Sequence, residues 1–180
     1  MIYAFLADGF EETEAIVPID LLRRANKNVV TVGVGKNMIT GSHKITFMTD
    51  TTTDEIAIDD SLEMVILPGG MPGTLNLEND KTVQKAIDFC AENNKIIGAI
   101  CAAPSILGHK GLLKGRKAVC YKGFEKELEG ALVSENPVVA DGNIVTSRGA
   151  GTAVNFGLKL IEVLDSKDLS DRIKSSILFE

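Results

Sequence analysis

The chain has 180 residues, 44% of them hydrophobic and 24% charged, with a formal net charge of −6. Such a length is ordinary for one domain and buries about 70% of the surface that the unfolded chain exposes. The acidic balance argues against a nucleic-acid surface, and no apolar run approaches the roughly 18 residues of a membrane helix.

The opening Met-Ile-Tyr-Ala-Phe-Leu-Ala-Asp lacks the basic region of a signal peptide and reads as a first strand, Ile2–Ala7. A helix over Glu11–Ala25 and a strand over Asn28–Gly33 follow. Residues 37–53 read as an appended hairpin, because Lys-Ile-Thr-Phe-Met-Thr alternates as a strand with one exposed side does. Then come a strand at Met64–Leu67, a helix at Lys81–Asn93, a strand at Lys95–Ile100 and a helix at Ala103–His109. The last third reads as strands Ala118–Tyr121 and Asn143–Thr146, with helices Phe124–Glu129, Gly151–Leu164 and Leu169–Ser175. Short apolar strands alternating with helices give an α/β doubly wound sandwich, a mostly parallel sheet with helices on both faces. No linker or repeat interrupts residues 1–180, which read as a single domain.

Such sheets bind ligands beyond the carboxyl ends of their strands. Four clusters fall there: Asp8-Gly9-Phe10-Glu11-Glu12-Thr13-Glu14, Pro68-Gly69-Gly70-Met71-Pro72-Gly73, Cys101-Ala102-Ala103-Pro104 and Ser147-Arg148-Gly149-Ala150-Gly151. Cys101 ends an apolar strand where a helix starts, the setting of a nucleophile held up at a strained turn. The N–H groups of the new helix start are expected to favour an anion and lower the thiol pKa. Cys90 lies on a helix and reads as packing. Cys120 sits at a strand end near the same crevice and reads as packing or a secondary oxidation site. An odd, sparse set of three cysteines fits a reducing cytoplasm, and two histidines without a CxxC pair argue against a zinc site.

Histidine is a poor candidate for activating the thiol. His109 lies eight residues beyond Cys101, about 12 Å along a helix, and reads as a helix C-terminal cation. His43 falls on the hairpin, with a surface role as the default. Three acids in the first turn of a helix, Glu11, Glu12 and Glu14, suit its dipole. Glu14 alone precedes the apolar side, so it is expected to point inward, to be protonated beside the sulfur, and to donate to it. The Pro68-Gly69-Gly70 turn would offer the Gly70 N–H to an oxyanion, with the Ala102 N–H as its partner. Arg148 would bind an anionic or carbonyl substrate, or tie down a loop.

Together these stretches resemble the ThiJ/PfpI superfamily, on its DJ-one branch, in the family's order and over nearly the whole chain. The resemblance implies a flavodoxin-like sandwich that forms a homodimer, with a reactive Cys101, a protonated Glu14, and oxyanion amides at Gly70 and Ala102. Protease members carry a histidine immediately after the cysteine, where this chain has Ala102, and no histidine follows His109 to complete an amidotransferase triad. Tyr121 stands where the branch has a histidine near its cysteine, and its hydroxyl would face substrate. The function implied is glutathione-independent glyoxalase or deglycase chemistry on small carbonyls such as methylglyoxal, without metal or organic cofactor, as part of an oxidative-stress response. The alternative is a redox sensor or chaperone whose Cys101 stops at sulfinic acid. A protease or amidase comes third, disfavoured by Ala102.

Overall fold

The computed structural model describes residues 1–180. Its elements in chain order begin with β1 (Ile2–Leu6), α1 (Glu12–Arg24) and β2 (Val29–Gly33). Next come the hairpin strands β3 (Met38–Thr40) and β4 (Thr46–Met48), then β5 (Thr51–Thr52) and β6 (Met64–Leu67). Helices α2 (Gly73–Asn79) and α3 (Lys81–Glu92) lead to β7 (Ile96–Ile100) and α4 (Pro104–His109). After β8 (Lys117–Ala118) and β9 (Leu132–Val133) come β10 (Val138–Asp141), β11 (Ile144–Ser147), α5 (Ala153–Leu164) and α6 (Lys167–Ser176).

Seven strands form one sheet in the order β10-β11-β7-β6-β1-β2-β5, parallel throughout except for β10 on β11. The central five run second, first, third, fourth, fifth, which is the flavodoxin-like order. Side chains alternate across the sheet, as the period of two requires. Ile2, Ala4 and Leu6 of β1 enter a core with α1, α5 and α6, while Tyr3 and Phe5 enter a second core with α3 and α4. Both faces are covered, so the strands carry apolar runs rather than a polar alternation.

Several expected elements differ. Of the expected Ala118–Tyr121 strand only Ala118 is extended, as the second residue of Lys117–Ala118, which pairs with β9 in a separate two-stranded sheet. The run is apolar because it is buried beside β11, where the Val119 N–H donates to Thr146 Oγ1 at 3.0 Å, and not because it joins the ladder. The helix expected at Phe124–Glu129 is a single 3-10 turn, Glu125–Glu127. Helix α2, the edge strand β5 and the antiparallel edge β10 were not anticipated. The hairpin stands as expected, with β3 antiparallel to β4 and followed by β5 on the main sheet.

The order in which strands join the sheet reverses between β1 and β6: β2 and β5 lie to one side of β1, and β6, β7 and β11 to the other. That switch point opens a crevice at the carboxyl ends of the strands. All four glycine- and acid-rich clusters leave the sheet there.

Candidate active site

Cys101 follows β7 directly with φ of 66°, a left-handed conformation that costs a side-chain-bearing residue of order 1–3 kcal/mol. Two neighbours hold it there. The Cys101 N–H donates to the Ser147 carbonyl at 2.9 Å, and the Cys101 carbonyl accepts from the Tyr121 N–H at 2.8 Å. The chain leaves the sheet upward, so the sulfur is only partly buried while its strand is fully enclosed.

The three acids of α1 divide into separate tasks. Glu11 caps the helix, its side chain accepting from the Glu14 N–H at 2.8 Å. Glu12 turns to the hairpin and accepts from the His43 N–H at 2.8 Å and the Ile45 N–H at 3.3 Å, with His43 Nδ1 at 2.9 Å. Burial disfavours the charge on Glu12, yet these hydrogen bonds hold its pKa below the ordinary value. Glu14 enters the crevice and is 1% exposed. Its Oε2 accepts from the Gly69 N–H at 3.0 Å, and the Ala150 N–H also points at the carboxylate. Gly69 leaves the room this requires: a Cβ there would lie 2.7 Å from both Glu14 Oε2 and Cys101 Cβ.

Burial above all pushes Glu14 up to about 7, against the opposing pull of the Cys101 thiol, the Gly69 N–H and the Ala150 N–H. Burial likewise pushes the Cys101 thiol up to about 12, reinforced by the Glu14 carboxylate and opposed by the Ala102 and Gly70 N–H groups. The expectation of a lowered thiol pKa is therefore corrected. Helix α4 has only six residues, and desolvation beside a carboxylate outweighs two amides. The two groups titrate as a coupled pair holding one proton above about pH 7. A thiolate arises when that proton passes to Glu14.

The crevice thus brings together Cys101, Glu14 and the N–H groups of Gly70 and Ala102. Gly149 closes it from β11 with φ of 157°, and a Cβ on Gly149 would lie 3.3 Å from Tyr121 Cδ2, 3.6 Å from Glu14 Oε1 and 3.9 Å from Cys101 Sγ. The Tyr121 ring therefore stands over the gap beside the thiol, itself half exposed. Arg148 is exposed at the rim, with Nη1 at 3.4 Å from the Glu135 carbonyl. The contributions of Gly69, Gly149 and Ala150 were not singled out from sequence, although the Gly-Gly and Arg-Gly steps mark backbone that approaches closely.

Other expected residues fall elsewhere. Cys90 is fully buried on α3, and burial raises it to about 12. Cys120 is buried and lines a neighbouring cleft of about 510 Å³. His109 lies in the last turn of α4, the place expected for a cation, with Lys110 at the C-cap position. Its ring bridges Glu78 through Nδ1 at 2.5 Å and Glu127 through Nε2 at 2.9 Å. The ligand atoms of Glu11, Glu12 and His43 lie within 4.8 Å of one another. The Glu12 oxygens are already occupied by hairpin donors, so this cluster works as a latch for the hairpin.

Three comparisons place the chain among known proteins. The family model described as DJ-1/PfpI family matches residues 1–163. Protein DJ-1 homolog A of Arabidopsis thaliana is 38% identical over 177 residues, covering 96% of this chain but only 45% of the plant protein. The chain thus spans less than half the length of that relative. The glutathione-independent glyoxalase DJ-1 of Schizosaccharomyces pombe is 32% identical over 183 residues, covering 96% of this chain and 95% of the yeast protein. The solved structure of oxidized Toxoplasma gondii DJ-1 superposes with a TM-score of 0.94 at 32% identity, covering 99% of this chain and 97% of that one.

Proposed function

We propose that this chain, which belongs to the DJ-1/PfpI family, is a glutathione-independent enzyme that converts small 2-oxoaldehydes such as methylglyoxal to 2-hydroxy acids. The observation that carries this reading is the buried Glu14 carboxyl facing a thiol held on a left-handed turn, with two N–H groups at the sulfur. The activity named for the yeast relative supports it.

The chemistry follows from one shared proton. Glu14 takes the proton from Cys101, and the thiolate adds to the aldehyde carbon of methylglyoxal, forming an S–C bond. The developing oxyanion is met by the Gly70 and Ala102 N–H groups and receives the proton back from Glu14, giving a hemithioacetal. The ionised carboxylate then removes the hydrogen on that carbon and returns it to the neighbouring ketone carbon through an enediol. The aldehyde carbon is oxidised to a thioester while the ketone is reduced to an alcohol, so no external electron carrier is needed. Water hydrolyses the thioester, releasing lactate and restoring the thiol. A Glu14 pKa near 7 suits a group that must donate and accept within one cycle.

Action on glycated amines or thiols, homodimer formation and a cytoplasmic location belong to the same proposal. A second reading draws on the partial exposure of Cys101. Two equivalents of peroxide would convert its thiolate to a sulfinate, whose oxygens would meet Glu14 and the Gly70 and Ala102 N–H groups.

Lactate formation from methylglyoxal, without glutathione, tests the enzyme reading in wild type, Cys101→Ser and Glu14→Gln. Turnover lost in both variants supports the dyad. Loss in Cys101→Ser alone removes Glu14 as the proton carrier, and an inert wild-type protein refutes the enzyme reading in favour of sulfur oxidation, read by intact mass.

A further inference from the structure

A cleft of about 430 Å³ opens beside the crevice, lined by Tyr121, Lys122, Arg148, Gly149 and the turn at residues 150–152. Its charged lining consists of two cations, with no carboxylate among the lining residues. That is unusual on a chain of net charge −6. Neither Lys122 nor Arg148 takes part in an ion pair. The guanidinium has one weak contact, the Glu135 carbonyl at 3.4 Å, and so keeps most of its donors free. The same two side chains also line the 510 Å³ cleft on their other side, where Glu125 and Glu135 balance them. On the side of Gly149, whose Cβ position lies 3.9 Å from Cys101 Sγ, no carboxylate of the cleft lining stands beside the two cations.

The passage between sulfur and cations runs past Gly149. A Cβ at that position would fall among Tyr121 Cδ2, Glu14 Oε1 and Cys101 Sγ, so the missing side chain keeps that space open. A carbonyl compound bonded to Cys101 can extend past Gly149 into this cleft, which carries Lys122 and Arg148.

We infer that Lys122 and Arg148 form a carboxylate subsite, and that the substrates of this crevice are 2-oxoaldehydes carrying a carboxylate at the far end. The inference rests on the enzyme reading above and names its substrate class. Arg148 is suited to grip a carboxylate with two parallel N–H groups, and Lys122 adds a compact charge. A representative substrate is 4,5-dioxopentanoate. Its aldehyde carbon would bond to Cys101, the enediol shift would oxidise that carbon while reducing the adjacent ketone, and water would release 2-hydroxyglutarate. Atoms and electrons balance as they do for methylglyoxal.

The test separates the subsite from turnover. Native protein is alkylated at Cys101 with iodoacetate or with iodoacetamide, reagents of similar size that differ in charge, and modified Cys101 is followed by peptide mass. In each arm sulfur displaces iodide, and the iodoacetamide rate corrects for any change in the thiol itself. The iodoacetate-to-iodoacetamide rate ratio is expected to fall about tenfold in Lys122→Gln/Arg148→Gln, as two exposed charge contacts acting together allow, and added salt should lower it in wild type only. An equal ratio in wild type and double variant overturns the subsite, whatever the lactate assay shows. Titration calorimetry with 2-hydroxyglutarate gives an independent measure. Wild type should bind it about tenfold more tightly than the double variant, and equal binding or none refutes the assignment. Failure of lactate formation with a charge-dependent ratio intact would discard the enzyme reading and keep the anion site.

Discussion

Replacing Glu14 by Gln should make this protein more stable at pH 8 and leave it nearly unchanged at pH 4. Burial raises the carboxyl from its ordinary 4.5 to about 7, so the folded chain holds this proton more tightly than the unfolded chain does. Stability from the protonated carboxyl is then fully present below pH 4.5 and is lost as pH rises toward 7. At about 1.4 kcal/mol per pH unit, an ionised Glu14 costs the fold about 3 kcal/mol at pH 8. Gln carries no charge, keeps a carbonyl oxygen for the Gly69 and Ala150 N–H groups, and turns its NH₂ toward the sulfur. For a chain of this size the difference corresponds to about 10 °C in thermal midpoint. Thermal unfolding by circular dichroism, with the cysteines reduced, would follow wild type and Glu14→Gln from pH 4 to pH 8. The gap should open between pH 4.5 and 7 and close below. Two parallel curves, or a variant less stable than wild type at pH 8, would refute the assignment of a buried carboxyl with raised pKa.

Gly149→Ala would place a methyl 3.9 Å from Cys101 Sγ on backbone with φ of 157°. It should cost about 1–3 kcal/mol in denaturant unfolding and lower kcat/KM for carbonyl substrates by about 100-fold, a loss beyond what the fold change explains. Retained kcat/KM would show that substrate does not pass this point. His109→Gln removes a bridge between Glu78 and Glu127 that raises the histidine pKa. The folded pKa lies above the unfolded one, so the bridge stabilises below the unfolded value and fades as pH rises through the folded one. Because the ring is partly exposed, the loss should be about 0.5–1 kcal/mol at pH 5.5 and near zero at pH 9, read from urea midpoints. An equal loss at both pH values would assign the residue to packing alone.

The main sheet was legible wherever burial leaves a mark on composition. Ile2–Leu6, Val29–Gly33, Met64–Leu67, Ile96–Ile100 and Ile144–Ser147 are short apolar runs because helices cover both faces. The edges left weaker marks. Thr51–Thr52 has two residues, and Val138–Asp141 belongs to the sheet only through its antiparallel pairing with β11. Ala118–Tyr121 misled for the converse reason, since its apolar residues are buried without ladder hydrogen bonds to the main sheet. The inward turn of Glu14 could be read from its place on the helix, and the left-handed Cys101 from the abrupt end of its strand. The thiol pKa could not. It depends on how much solvent three other loops remove, a quantity that adjacent residues do not encode. The clusters place Gly149 and Ala150 at the site, but their individual contributions are not legible, because these are an absent side chain and a backbone amide.

The left-handed turn at Cys101 has a consequence for how the protein is made. Its N–H is tied to Ser147, 46 positions later in the chain. A nascent chain emerging from the ribosome with β7 complete but β11 still unmade cannot hold the cysteine in that conformation. Nor does it have Gly149 or the Ala150 N–H in place. The Cys101 turn is therefore complete only when translation has passed residue 150, so fragments released earlier carry an ordinary thiol. Under the proposed function, recovery of carbonyl turnover would report completion of the sheet.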